Sequence, residues 1–310
     1  MDSAKTTSNK PLKSGFVSLI GNANTGKSTL LNTILGEKLT ITSSKPQTTR
    51  NTIRGIYNDD DAQIIFIDTP GLHQAKHKLG DFMTKSALRT LGGVDLILYI
   101  VDATKDKDML DERVIASLKQ LKTKAFLIVN KIDKISDHAR LEKYIETLKD
   151  IYAFDGVFAV SALNGIYTDL LKEDIKTALP EGPRYYPEHM RTDQPEKFLI
   201  AERIREKILD LTQQEIPHSV AVDIEKIEVD SDNKNLLNIN ATIIVERDSQ
   251  KGIIIGKGGK LLKMIGTRAR HDILTLLDTK IYLELYVKVV KDWRNRQMHL
   301  HDLGFREEDL

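Results

Sequence analysis

The sequence predicts an α/β protein in two parts: a domain built on a mostly parallel β-sheet, followed by a smaller α+β domain. In the first half of the chain, five short apolar runs alternate with segments of helical length. This alternation is typical of buried parallel strands covered by helices on both faces. A proline-rich stretch follows, and after it the patterns read helix, strand, strand, short helix, glycine loop, helix, strand.

The apolar runs give the strands of the first domain. They are Phe16–Ile20, Gln63–Ile67, Val94–Val101, Ala125–Val129 and Gly156–Val160. Between them, Leu110–Lys122 and Arg140–Ile151 mix polar and apolar residues as surface helices do. Residues 1–13 are polar and predict a loose tail. The first domain is therefore expected to span residues 14–180.

The second domain is expected after a linker over residues 181–197, a segment that holds several prolines and no regular period. Ile200, Ile204 and Ile208 then recur at helical spacing. Two strand candidates follow, the second at Leu237–Val245, and a helix is predicted at Lys260–Leu277. Strict alternation of aliphatic residues near the C-terminus predicts one last strand. This domain should cover residues 198–310.

Composition excludes several classes of protein. The chain has no cysteine, so disulfides, thiolate metal sites and thiol catalysis are excluded. No apolar run approaches the length of a membrane span, and the N-terminus lacks the apolar core of a secretory signal, which predicts a cytoplasmic location. Net charge is only +1, but Arg247–Arg270 holds seven basic residues against one acid. This basic patch predicts local contact with phosphates, of RNA or of the inner membrane surface.

A phosphate-binding loop follows the first strand. The segment from Gly21 to Ser28 matches the pattern GxxxxGK[ST] between a strand and a helix, the context that a P-loop requires. Its backbone N–H groups can cradle phosphate oxygens, Lys27 can reach the β- and γ-phosphates, and the Ser28 hydroxyl can ligate Mg²⁺. The candidate phosphate-binding residues are Gly21, Asn22, Ala23, Asn24, Thr25, Gly26, Lys27, Ser28 and Thr29, with Gly71 from a second segment.

That second segment is Asp68-Thr69-Pro70-Gly71, which follows the strand ending at Ile67. Asp68 should lie at the carboxyl end of its strand, on the same edge of the sheet as the P-loop. A carboxylate there can hold Mg²⁺ through water, and Gly71 lets its backbone N–H approach a γ-phosphate. Taken alone, the four residues would also fit an ordinary turn.

Two further strand ends indicate which base is bound. Asn130-Lys131-Ile132-Asp133 ends one strand, and Ser161-Ala162-Leu163 ends the next. The Asp133 carboxylate can accept both donors on one edge of guanine, whereas adenine offers no such pair. Asn130 can brace the neighbouring loops, the Lys131 stem can cover the base, and the Ala162 N–H can meet the guanine O6.

These four motifs, in this order and spacing, resemble the translation-factor class of GTPases over residues 14–180. The resemblance implies a switch threonine that reaches Mg²⁺ and the γ-phosphate, assigned to Thr49 with Thr48 as the alternate. Leu72 stands where many GTPases carry a water-orienting glutamine, which implies slow intrinsic turnover. In relatives of this kind an asparagine matching Asn24 binds K⁺, although a turn residue explains Asn24 equally well.

The glycine cluster of the second domain resembles the nucleotide-clamping loop of KH domains. Its GxxG loop lies between apolar residues and a helix, and such loops hold the backbone of about four single-stranded nucleotides. Glycines leave room for a phosphate against the backbone, and lysines add positive charge. The candidate RNA-binding residues are Ile255, Gly256, Lys257, Gly258, Gly259, Lys260 and Lys263.

The order of a P-loop GTPase domain, a proline-rich linker and a KH domain resembles the Era family of bacterial GTPases over nearly the whole chain. The resemblance implies GTP hydrolysis with Mg²⁺ and binding of the 3′ end of small-subunit ribosomal RNA during subunit assembly, with no DNA partner. Two alternatives stay open at this point. The protein could be an RNA clamp that uses GTP structurally, or an adenine-nucleotide enzyme, in which case Asp133 would have no role.

Overall fold

Two β-sheets, each covered by helices, organise the chain in the computed structural model, which describes residues 12–72, 77–105, 110–214 and 216–305. The strands of the first sheet are β1 (Lys13–Ile20), β2 (Ile53–Asn58), β3 (Ala62–Asp68), β4 (Leu96–Asp102), β5 (Lys124–Asn130) and β6 (Gly156–Val160). Its helices are α1 (Lys27–Leu35), α2 (Lys78–Arg89), α3 (Glu112–Gln120), α4 (His138–Ile151) and α5 (Thr168–Ala178).

The first sheet has the order β2-β3-β1-β4-β5-β6, and every neighbouring pair is parallel except β2 with β3. One face packs its apolar side chains against α1 and α5, and the other face packs against α2, α3 and α4. Strand β4 is buried along its whole length, as a central strand covered on both faces must be. The parallel strands end at one edge of the sheet, which brings the loops after them together.

The second sheet lies in the C-terminal domain, whose elements run α6 (Glu196–Leu211), α7 (Ile216–Ser219), β7 (Ala221–Val229), β8 (Leu236–Val245), α8 (Asp248–Ile255), α9 (Lys260–Leu277), β9 (Lys280–Val289) and α10 (Gln297–Asp302). Strand β8 is central, antiparallel to β7 and parallel to β9. Helices α6 and α9 contribute Ile204 and Ile265 to its core. Apart from the short helices α7 and α10, the element order is the one that the sequence predicts.

Three elements of the first domain are not among those that the sequence predicts, namely strand β2 and helices α2 and α5. Strand β2 is an antiparallel edge strand in which Arg54 is exposed and no strict alternation appears. Helix α2 buries one face, including Phe82 and Met83, partly against the C-terminal domain. Strand β1 begins at Lys13, one residue before the expected domain start, and the predicted tail otherwise lies outside the described residues.

Across the described ranges, no helix is long and apolar enough to cross a membrane.

The two domains share a small apolar cluster. Phe82 and Met83 of α2 meet Trp293 and Phe305 of the C-terminal domain. Trp293 is fully buried, and its indole N–H donates to the Ser219 carbonyl at 2.9 Å. The domains are therefore packed against each other as well as joined by the linker.

Candidate nucleotide and RNA sites

The P-loop connects β1 to α1 in a conformation that requires glycine. Gly26, the residue before α1, has φ 98°, and a Cβ there would collide with the Asn130 side-chain amide. The first turn of α1 carries no acidic residue. Its N-terminus can therefore attract anionic oxygens without competition from a side chain.

Lys27 lies buried at the start of α1. Its ammonium donates to the Gly21 carbonyl at 3.0 Å and to the Asn22 carbonyl at 2.9 Å. Burial lowers the pKa of Lys27 to about 8, although the charge of Asp68 opposes the shift. The cation is thus held inside the loop by the two carbonyls, beside the space where phosphates are predicted.

Three side chains from separate segments bring their oxygens together next to Lys27. Ser28 Oγ donates to Asp68 Oδ2 at 2.7 Å and lies 2.8 Å from Thr49 Oγ1, which is itself 3.4 Å from Asp68 Oδ2. Burial raises the pKa of Asp68 to about 6, against the opposing hydrogen bond from Ser28 and the charge of Lys27. Asp68 Oδ1 is buried and has no hydrogen-bond partner among the described residues.

This arrangement fits a hard cation. Mg²⁺ takes oxygen ligands, commonly one or two from protein groups with the remainder from phosphates and water. The buried, unsatisfied Asp68 oxygen and the two hydroxyls of Ser28 and Thr49 supply such ligands directly or through water. The predicted metal residues Ser28, Thr49 and Asp68 are therefore brought together by the fold.

The hydroxyls of Thr48 and Thr49, the two candidates for the switch threonine, point in different directions. Thr49 Oγ1 faces Ser28, whereas Thr48 Oγ1 donates to the Lys45 carbonyl at 2.6 Å. Both residues line the same cavity as the P-loop, together with Thr29 and Gly71. The geometry thus favours Thr49 as the metal-side residue.

Gly71 and Leu72 lie against the P-loop from the other side. A Cβ on Gly71 would approach the Ala23 Cα to 2.6 Å, so only glycine lets these loops pack. The Leu72 side chain is 3% exposed and packs in the core with Ile20 and Tyr99, while its N–H donates to the Gly21 carbonyl at 3.1 Å. Leu72 therefore points away from the phosphate space.

Asn130 braces two loops at the end of β5, as the sequence suggests. Its Nδ2 donates to the Thr25 carbonyl at 2.8 Å, and its Oδ1 accepts from the Ala162 N–H at 2.9 Å. The second contact differs from the predicted role of Ala162, because that N–H donates to Asn130 here rather than facing a base. The next residue, Leu163, is exposed.

Asp133 and Lys131 complete the predicted base site. Asp133 Oδ1 accepts from Ser161 Oγ at 2.6 Å, which joins the two base-binding segments. Lys131 does more than cover a base: its ammonium lies 2.6 Å from both Asp102 Oδ2 and the Asn24 carbonyl. Although burial opposes it, hydrogen bonding from Lys131 holds the pKa of Asp102 below its ordinary value.

Asp102 is a site residue that the sequence analysis missed. It ends β4, so the argument from strand ends that identified Asp68 would have found it too. Asn24 has φ 65°, which agrees with a turn role, and its Nδ2 donates to the Ser44 carbonyl at 2.8 Å. The P-loop is therefore tied both to the base site and to the segment that carries Thr49.

The glycine loop of the C-terminal domain is open to solvent on its outer side. Gly258 and Gly259 have φ of 60° and 76°, and a Cβ on either would meet no atom of the described residues within 4 Å, apart from its chain neighbours. The three lysines of the loop and of helix α9, Lys257, Lys260 and Lys263, are exposed. Ile255 ends α8 beside this loop. The predicted RNA residues thus share one accessible, basic surface.

The segment of residues 38–50, called the switch segment below, also contacts the C-terminal domain. Glu206 of α6 accepts from the Thr42 N–H at 3.0 Å and from the Lys38 ammonium at 2.6 Å. Arg205 of α6 donates to the Thr48 carbonyl. In the opposite direction, Arg50 donates to the carbonyls of Pro217 at 2.9 Å and Val220 at 2.6 Å.

Comparison with known proteins matches both halves of the chain. A family model described as a 50S ribosome-binding GTPase matches residues 16–131, and a KH-domain model matches residues 215–294. A variant of Era from Aquifex aeolicus bound to GDP·AlF4⁻ has TM-score 0.90 and 41% identity. A structure of Era with MgGDPNP and nucleotides 1506–1542 of 16S ribosomal RNA has TM-score 0.91 and 41% identity. Each match covers 95% of this chain and 99% of the other. With both domains and the linker between them aligned at this identity, the chain belongs to the Era family of GTPases.

Proposed function

We propose that this protein is a GTP-hydrolysing switch that binds the 3′ end of small-subunit ribosomal RNA and acts in assembly of that subunit. Era, similar over almost the whole chain, has been solved with GDP·AlF4⁻ and with a 16S ribosomal RNA fragment. The observation that carries the switch is that the Thr49 segment touches Ser28 beside the P-loop and helix α6 of the KH domain at once. One segment therefore contacts both the nucleotide site and the domain that carries the RNA site.

The roles of the phosphate residues follow from their chemistry. Backbone N–H groups of the P-loop, from Gly21 to Thr29, bind the phosphate oxygens, and the Lys27 ammonium leaves its two carbonyls to pair with them. Ser28, Thr49 and Asp68 would hold Mg²⁺, which neutralises charge on the phosphates when bound. The Gly71 N–H would meet the γ-phosphate.

Base selection rests on Asp133, whose carboxylate accepts the two donors on the guanine edge. Ser161 orients that carboxylate through its 2.6 Å hydrogen bond. The guanine O6 accepts a hydrogen bond from a backbone N–H of this segment. The donor is the Ala162 N–H if its hydrogen bond to Asn130 breaks, or otherwise the neighbouring Leu163 N–H. Lys131, held by Asp102, covers one face of the base with its aliphatic stem.

Many GTPases carry a catalytic glutamine at the position of Leu72. K⁺ is the candidate to stabilise the transition state in its place. The Leu72 side chain has no hydrogen-bonding group and lies in the core, so it orients no water. Asn24 lines the same cavity as Ser28 and Thr49. K⁺ held by Asn24 would add positive charge beside the phosphates, where preorganised charge stabilises the transition state.

Hydrolysis is tested with Lys27→Ala, which should abolish nucleotide binding or turnover while leaving the fold intact. Lys119→Ala, at an exposed lysine on α3, is the matched control.

Turnover measured in Na⁺ and in K⁺, with and without RNA, tests the role of potassium. Identical rates in all four conditions would contradict that role. A structural clamp predicts no turnover on small ribosomal subunits, whereas a switch predicts acceleration there.

RNA binding is tested by fluorescence anisotropy with an RNA that carries the small-subunit 3′ end and with a scrambled RNA of equal length. Gly258→Asp adds a carboxylate to the open side of the glycine loop and should remove binding without affecting GTP affinity. Gly36→Asp, at another open glycine with positive φ at the end of α1 in the first domain, controls for strain. Equal affinity for both RNAs would contradict the proposed target.

We place the protein in the cytoplasm, where small-subunit ribosomal RNA is found. A secondary expectation is peripheral contact with the inner membrane face through the basic patch Arg247–Arg270. Flotation with vesicles of anionic and of neutral lipid tests this expectation. Absence of the protein from both vesicle fractions would contradict the expected membrane contact.

A further inference from the structure

Arg205 of helix α6 is held rigidly inside the domain interface. Its side chain is 3% exposed. Glu202, one turn earlier, accepts from Arg205 Nε at 2.6 Å and from Nη2 at 2.6 Å. Two parallel hydrogen bonds between a guanidinium and a carboxylate fix both the position and the plane of the arginine. The remaining donors of Arg205 therefore have a set direction.

Those donors are aimed at the backbone of the switch segment. Arg205 Nη2 donates to the Thr48 carbonyl, and Nη1 lies 3.5 Å from the Gln47 carbonyl. Gln47 has φ 61°, a left-handed conformation that costs free energy for a residue other than glycine. Such a conformation persists where the surroundings impose it. Arg205 supplies part of that constraint.

The Thr48 carbonyl belongs to the peptide bond that leads directly into Thr49. Thr49 Oγ1 is in turn 2.8 Å from Ser28 Oγ. On the other side of Thr49, Arg50 is anchored to the Pro217 and Val220 carbonyls of the KH domain. Thr49 is thus bracketed by two contacts with the KH domain, one on each neighbouring residue.

We propose that Arg205 is a positioning residue for GTP hydrolysis, holding the Thr48 carbonyl so that the Thr49 hydroxyl stays beside Ser28 and Asp68. This inference rests on the proposed GTPase function and adds that the KH domain supplies part of the active-site geometry. Arg205 donates to the Glu202 carboxylate and to the Thr48 carbonyl rather than to Ser28, Thr49 or Asp68, so it acts through Thr49. Other α6 contacts, such as that of Glu206 with Thr42, reach the segment farther from Thr49.

The test compares wild-type protein with the double variant Arg205→Ala/Glu202→Gln, which leaves no unpaired carboxylate in the interface. We expect kcat and the affinity for a non-hydrolysable GTP analogue each to fall about tenfold, the effect of losing one charged hydrogen bond. GDP affinity should stay unchanged, because GDP lacks the phosphate that Thr49 meets. Arg205→Lys should be intermediate, and Lys197→Gln, an exposed change on the same helix, should match wild type.

A double-mutant cycle shows whether Arg205 acts through Thr49. In a Thr49→Val background the Arg205 change should add little, because the hydroxyl that it positions is gone. Additive losses would overturn the inference, as would an unchanged ratio of analogue to GDP affinity. Equal loss of GDP, analogue and RNA affinity would show a merely structural role and would also overturn it. A wild-type protein without GTPase activity would refute the proposed function instead.

Discussion

Arg50 provides the most direct test of communication between the domains, through the substitution Arg50→Met. The side chain starts in the switch segment next to Thr49 and ends in the KH domain, donating to the Val220 and Pro217 carbonyls at 2.6 and 2.9 Å. Its guanidinium carbon lies 6.0 Å from the centre of the Trp293 ring. Methionine keeps an apolar stem of similar length against Trp293 and removes both hydrogen bonds.

The magnitude follows from two opposing effects. Two hydrogen bonds from a charged donor contribute roughly 3 to 6 kcal/mol in total, and their loss leaves two buried carbonyls without a partner. Against this, Arg50 is costly to bury. Burial, with repulsion from Arg205, holds the pKa of Arg50 well below its ordinary value, and its Nε has no partner among the described residues. We expect a net loss of about 2 kcal/mol in the free energy of unfolding.

The functional effect of Arg50→Met should appear in the coupling between RNA binding and GTP-analogue binding, rather than in the affinity for either ligand alone. If the γ-phosphate moves Thr49, it must also move or break the adjacent Arg50 contacts. RNA and a GTP analogue should then favour each other by about 1 to 3 kcal/mol in wild type, roughly 5- to 150-fold, with the same factor in both directions. In Arg50→Met this factor should approach one.

The assay is RNA anisotropy in the GDP and GTP-analogue states, with urea unfolding as the measure of stability. Arg54→Met is the matched control, because Arg54 is half-exposed and pairs with Asp193 of the linker at 2.7 Å. It should leave the coupling factor intact. A folded Arg50→Met protein with the wild-type factor would refute the reasoning, since coupling would then bypass this contact.

Three further substitutions test the nucleotide site. Asp133→Asn should lower GTP affinity roughly 30-fold and shift preference away from guanine, measured by competition among nucleotides; retained selectivity would contradict the base assignment. Leu72→Gln should cost about 2 kcal/mol in urea unfolding without raising kcat, because the amide would be buried in the core, and a faster enzyme would show that residue 72 can reach the phosphates. Gly26→Ala should abolish nucleotide binding, whereas Gly36→Ala, where a Cβ meets nothing, should cost only about 1 kcal/mol of stability.

The sequence was most informative where function or burial imposes a local pattern. The P-loop, the strand ends at Asp68 and Asn130, and the glycine loop could each be located from a few adjacent residues. The structure brings the P-loop and the two strand ends to one edge of the first sheet. Strand β2 could not be found in this way, because an edge strand pairs on one side only and IRGIYN alternates poorly.

Helix α6 shows why the domain interface escaped prediction. Its isoleucines at helical spacing predict one buried face and leave Arg205 and Glu206 on faces that look solvent-exposed. Both side chains are nevertheless buried against the switch segment. Ion pairs and backbone contacts between residues about 160 positions apart leave no periodic signal in either segment.

The linker determines where the KH domain can pivot if the switch segment releases it. Gln63, buried in β3, accepts from the Tyr185 and Tyr186 N–H groups at 2.6 and 2.9 Å, which fixes the start of the linker to the sheet. Gln194 Nε2 still donates to the Thr52 carbonyl at 3.2 Å. Helix α6 begins two residues later, at Glu196. A rotation of the KH domain that keeps the linker docked must therefore turn between Gln194 and α6, so the helix that holds the switch segment is also the first element to move.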